Sequence, residues 1–68
     1  MKLSARNVIK GRVVEVKTAD VAANVRVDIG GGTIISSSIL SSSVDDLGLA
    51  IGDEVTVIIK SSDVIIGK

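Results

Sequence analysis

The chain has 68 residues with no Cys and no His, which excludes disulfides and the usual zinc and copper sites. Its eight basic and eight acidic residues give zero net charge, and Phe, Tyr and Trp are absent. Nucleic acid is therefore not expected as a partner, because the chain offers neither a basic field nor aromatic stacking surfaces. The common nucleophile–base pairs of enzymes cannot be built without His or Cys.

The length predicts one small domain, residues 1–68, whose own core is marginal. Apolar residues make up 46% of the chain, and self-association is the expected support once disulfides and metals are excluded. Apolar runs long enough to span a membrane are absent, and the N-terminus lacks the pattern of a signal peptide. We therefore expect a cytoplasmic homo-oligomer without a membrane partner.

Two strands are predicted in the first half of the chain. The first covers residues 8–17, and its apolar phase changes near Gly11, which indicates either a bulge or burial on both faces. The second covers residues 21–29 and alternates apolar and polar residues, as a half-solvated antiparallel strand does. Residues 30–32, all glycine, are the predicted hairpin turn.

A third strand is predicted over residues 33–40, with three serines at 36–38 that suit either a solvated edge or a polar lining at a subunit interface. Residues 43–48 read as one helical turn, with Ser43 as the N-cap, Asp46 at its third position and Gly48 just past its end. Residues 54–60 and 64–66 are the predicted fourth and fifth strands. This order predicts an all-β, five-stranded OB-like barrel, with a Greek-key sandwich as the alternative.

Polar residues flank the first and fourth predicted strands. Ser4-Ala5-Arg6-Asn7 precedes the first strand, and Lys60-Ser61-Ser62-Asp63 follows the fourth. These two strands pair antiparallel in an OB barrel, which would place Arg6 and Lys60 at the same end. Arg supplies a planar donor fork, Lys a point charge and Ser short donors, so the pattern suits a small oxyanion. The alternative is that these are ordinary surface charges, a helix cap and a turn.

The segments SARNVIKGRVVEV and VDDLGLAIGDEVTVIIKSSDVIIGK resemble the molbindin (Mop) family of small molybdate-binding proteins. The same module is the TOBE domain of molybdate-responsive regulators and transporter ATPases. The similarity extends over essentially the whole chain, and the early SARN-x-x-x-G and late LGL-x-x-GDEV patterns are specific in combination.

The resemblance implies a non-enzymatic protein that stores or buffers molybdate or tungstate in a hexamer built as a trimer of dimers. It implies oxyanion sites between subunits, with hydrogen bonds to the intact anion and no protein atom on the metal. A second type of site is expected nearer a symmetry axis. Two other functions stay open, a purely structural assembly domain and a nucleic-acid-binding OB module. The site residues implied are Ser4, Ala5, Arg6, Asn7, Lys60, Ser61 and Ser62, with Ser43 contributed by a neighbouring subunit.

Overall fold

A curled antiparallel sheet of four strands and one short helix form the fold of residues 4–68, the residues that the computed structural model describes. The strands are β1 (Asn7–Thr18), β2 (Ala22–Asp28), β3 (Ile34–Leu40) and β4 (Glu54–Ile59). Helix α1 (Ser41–Leu47) connects β3 to β4, and a 3-10 turn (Ser61–Asp63) follows β4. The sheet order is β3-β2-β1-β4, so the all-β, OB-like prediction is confirmed as a half-barrel.

Strand β1 curves the sheet because its two halves pair with different neighbours. Residues 7–12 pair with β4, and residues 12–18 pair with β2. A β-bulge falls between Val13 and Glu15, so the core-facing side chains shift from odd to even positions, and Val16 packs against the core. The bulge explains the change in apolar alternation predicted near Gly11, and it lies about three residues further along the strand.

Gly11 serves a different purpose, which is close approach between strands. A Cβ built on Gly11 would lie 2.5 Å from Val27 Cγ1 and 2.9 Å from the carbonyl oxygen of Asp28. Side chains larger than hydrogen do not fit there without displacing backbone. The glycine thus allows β1 and the end of β2 to close on each other.

The core lies inside the curl of the sheet and is small. Its buried members come from β1, β2 and α1, and half-buried side chains from β3 and β4 pack around them. Aliphatic side chains of modest size fill it, which agrees with the absence of aromatic residues. The buried residues are Val13, Ala23, Val25, Val27 and Val44.

The predicted fifth strand, residues 64–66, is wrong for the single chain. The backbone leaves the 3-10 turn in an extended conformation at Val64, but the segment pairs with none of the described strands. Its apolar residues Ile65 and Ile66 are 93% and 85% exposed. Alternating aliphatic residues favour an extended conformation, but a strand also needs a partner edge, and residues 4–63 do not provide one for this segment.

The start of the helix also differs from the prediction. Leu40, not Ser43, occupies the N-cap position, and it makes no side-chain capping bond. The helix begins earlier because Ser41 is tied to the β1–β2 turn, with its N–H donating to the Val21 carbonyl at 2.8 Å and its Oγ donating to the Ala19 carbonyl at 2.6 Å. Gly48 ends the helix in the left-handed conformation, as predicted.

Candidate oxyanion site at the end of the β1–β4 ladder

The β1–β4 ladder ends at the pair Asn7 and Ile59. The next residue outward on each chain segment is Arg6 on one side and Lys60 on the other. Asn7 fixes this end, because its Nδ2 donates to the Ile59 carbonyl oxygen at 3.2 Å. The two predicted cations therefore emerge side by side, as expected from the pairing of the first and fourth strands.

Neither Arg6 nor Lys60 has a carboxylate within ion-pair distance among residues 4–68. Both residues are exposed. By contrast, Arg12 lies 3.4 Å from Glu54, and Lys17 lies 3.1 Å from Glu15. Two cations brought to one end of the ladder without an ion-pair partner among residues 4–68 favour an anion there.

The 3-10 turn presents short donors next to Lys60. The Asp63 N–H donates to the Lys60 carbonyl at 2.9 Å, which closes the turn. Ser61 and Ser62 are exposed, and the first N–H groups of a helical turn have no partner inside it. The hydroxyls and N–H groups of Ser61 and Ser62 are thus positioned beside a cation and open to a ligand.

The remaining residues of the predicted site have mixed positions. Ser4 is exposed and Ala5 half-buried, and both lie in the segment that leads into Arg6. Asn7 uses an amide N–H for the tie to β4, so its role within the chain is at least partly structural. Ser43 is not brought to this end, because α1 packs on β2 and β3, with Val44 in the core.

An apolar cleft was missed by sequence reasoning. It lies on the inner face of the half-barrel, between the unpaired edges of β3 and β4, and has a volume of about 510 Å³. Ser37 lines it, while Ser36 and Ser38 are exposed, so the serine run belongs to an edge strand. The sequence feature that could have revealed the cleft is the alternation of aliphatic residues in β3 and β4. The residues of these strands that line the cleft include Ile35, Ile39, Val55 and Val57.

The described residues contain no cluster of three or more acidic residues suited to a metal ion. Among the same residues, the helices are too short to cross a membrane. What residues 4–68 offer instead is a hydrogen-bonding, positively charged surface at one end of an OB-like half-barrel. The fold and this surface together define a class of protein, namely small OB-like modules with a candidate oxyanion site.

Comparison with known proteins gives the family. The TOBE domain family matches residues 3–66. A probable molybdenum-pterin-binding protein of Haemophilus influenzae is 45% identical over 67 residues, covering 98% of this chain and 97% of the relative. The chain therefore belongs to the TOBE domain family, among its small molybdenum-pterin-binding (Mop) members.

Solved structures agree with this assignment. A molybdate-binding protein from Sporomusa ovata superposes with a TM-score of 0.93 at 35% identity, over the full length of both chains. The cytoplasmic molybdate-binding protein ModG, in a form with molybdate bound, superposes with a TM-score of 0.91 at 40% identity. That match covers 96% of this chain and 46% of ModG.

Proposed function

We propose that this protein binds molybdate in the cytoplasm, and stores or buffers it without catalysing a reaction. The observation that carries the proposal is the adjacent pair Arg6 and Lys60, which no carboxylate neutralises within residues 4–68. The relatives named for molybdenum-pterin or molybdate binding support molybdate as the anion. Tungstate, a tetrahedral dianion of similar size, is the expected second ligand.

The anion is bound intact, through its oxygens. Arg6 donates from its planar guanidinium, Lys60 contributes a point charge, and Ser61 and Ser62 donate from hydroxyls and N–H groups. The segment Ser4-Ala5 continues outward from Arg6 and adds backbone and hydroxyl donors on the other side. Sulfate carries the same charge and the same acceptors as molybdate, so discrimination against it rests on the size of the site.

A homo-oligomer completes the site in this proposal. Arg6, Lys60 and the serines around them are largely exposed in one chain, and Ser43 lies away from them. A second copy that covers this end would exclude water and strengthen each charge-assisted bond. The open cleft and the exposed Ile65 and Ile66 support self-association, because large exposed apolar surfaces mark interfaces. We expect a hexamer arranged as a trimer of dimers.

Isothermal titration calorimetry with molybdate, tungstate and sulfate tests the proposal. Arg6→Ala and Lys60→Ala each remove a charge-assisted bond, which contributes about 1.5–3 kcal/mol, and should weaken binding by roughly 10- to 100-fold. Lys17→Ala is the matched control, since Lys17 is paired with Glu15 near the far end of β1. Wild-type protein that binds no molybdate, or a double variant that binds it normally, would rule the proposal out.

A further inference from the structure

An acidic residue lies within the cationic end of the β1–β4 ladder. Asp63 is the last residue of the 3-10 turn that follows Lys60, and it is exposed. The two segments at this end, residues 4–7 and 60–63, carry two positive charges and this one negative charge. The positive charge that an anion meets there is therefore smaller than Arg6 and Lys60 alone would provide.

The 3-10 turn holds Asp63 close to Lys60. The Asp63 N–H donates to the Lys60 carbonyl at 2.9 Å, and the Val64 N–H donates to the Ser61 carbonyl at 3.3 Å. A four-residue turn closed in this way keeps its first and last Cα atoms within about 7 Å of each other. The carboxylate of Asp63 therefore stays near any anion that Lys60 binds.

The Asp63 carboxylate has no bonded role among residues 4–68. It forms no ion pair with either cation of the ladder end, and it accepts no hydrogen bond within its own turn. By contrast, the carboxylates of Asp28 and Asp53 each accept a backbone N–H in the turns where they lie. An ionised carboxylate only accepts hydrogen bonds, so Asp63 cannot bind the oxygens of an oxyanion and acts on it through its negative charge.

We propose that Asp63 sets the affinity of the oxyanion site, because its charge repels the bound dianion and thereby favours release. This inference rests on the proposed function. Arg6 and Lys60 alone would neutralise a dianion completely, whereas the site that also contains Asp63 keeps an excess negative charge when it is occupied. A protein that stores an anion must also return it, and a weakened site allows this.

Isothermal titration calorimetry of wild type and Asp63→Asn with molybdate, at low and high salt, tests the inference. The substitution removes the charge and keeps the size of the side chain. For a separation of about 8 Å in water, the repulsion between a carboxylate and a dianion corresponds to a roughly fourfold change in Kd at about 10 mM salt. Asp63→Asn should therefore bind molybdate roughly fourfold more tightly there. At about 0.5 M salt the difference should fall below about 1.5-fold, because the charges are screened.

Two control variants separate the local charge from other effects. Asp63→Glu keeps the charge and should bind as wild type does. Asp20→Asn removes the same charge from the exposed turn after the other end of β1, and it should also leave binding unchanged. Asp63→Asn that binds no more tightly than wild type, or a tightening that salt does not reduce, would overturn this inference and leave the proposed function intact. Wild-type protein that binds no molybdate at either salt concentration would refute the proposed function, and this inference with it.

Discussion

Replacing Gly11 by alanine should destabilise the fold, because the structure leaves no room for a methyl group there. The new Cβ would lie 2.5 Å from Val27 Cγ1, 2.9 Å from the Asp28 carbonyl oxygen and 3.2 Å from Ile29 Cγ2. Val27 is a buried member of the core and Asp28 O is backbone, so neither can move away without disturbing the β1–β2 pairing.

Two opposing contributions determine how much Gly11→Ala lowers the free energy of unfolding. Overpacking a closely packed site costs about 1–3 kcal/mol. Gly→Ala also restricts the unfolded chain, which offsets about 0.4–1 kcal/mol of that cost. The net loss is therefore about 1–2 kcal/mol, and in a domain of this size about 1.5 kcal/mol lowers Tm by roughly 6–12 °C.

Urea and thermal unfolding followed by circular dichroism measure the effect, since the chain has no aromatic fluorophore. All variants should be compared at one protein concentration, because association shifts the apparent stability. Gly67→Ala is the matched control, as a Cβ at Gly67 meets nothing within 4 Å. A Gly11→Ala protein as stable as the Gly67→Ala protein would show that the strands separate easily, and the close-approach argument would fail.

Three further predictions concern single contacts. Gly48→Ala should lower the free energy of unfolding in urea by about 1 kcal/mol because Gly48 has a φ of 61°, and Gly48→Asn should lower it less. Equal stability of the two variants would contradict the left-handed helix cap. Asn7→Ala removes the hydrogen bond to the Ile59 carbonyl, so it should lower the free energy of unfolding by about 1 kcal/mol and speed amide hydrogen exchange at the end of the β1–β4 ladder. Unchanged exchange there would show that this hydrogen bond does not hold the two strands together. A hydrogen bond from Lys17 holds the pKa of Glu15 below its ordinary value of 4.5; desolvation opposes this shift, and the positive charges of Lys17 and Arg26 add to it. Ionised Glu15 therefore stabilises the fold above pH 4.5, and this stabilisation is lost as the pH falls through the lowered pKa. The stability gap between wild type and Glu15→Gln, measured by urea titration from pH 7 to pH 3, should therefore close on acidification; a gap independent of pH would refute the ion pairing.

Local pattern was sufficient for most of the fold. Alternating aliphatic residues placed the strands within a residue or two, since burial on one face of a sheet imposes a period of two. The glycine at position 48 marked the end of the helix, because few other residues adopt a left-handed conformation there. The antiparallel pairing of the first and fourth strands also predicted that Arg6 and Lys60 emerge together.

Tertiary structure decided what depends on contacts between distant segments. Ser43 has the residue type of a cap, but hydrogen bonds from Ser41 to the β1–β2 turn start the helix earlier. Residues 64–66 have the pattern of a strand, yet no described edge pairs with them, because edge availability is a property of the whole sheet. The folded structure shows that Arg12 and Lys17 have ion-pair partners, whereas Arg6 and Lys60 have none among residues 4–68. Composition alone gives a net charge of zero, whereas the folded chain brings Arg6 and Lys60 to the same end of the β1–β4 ladder.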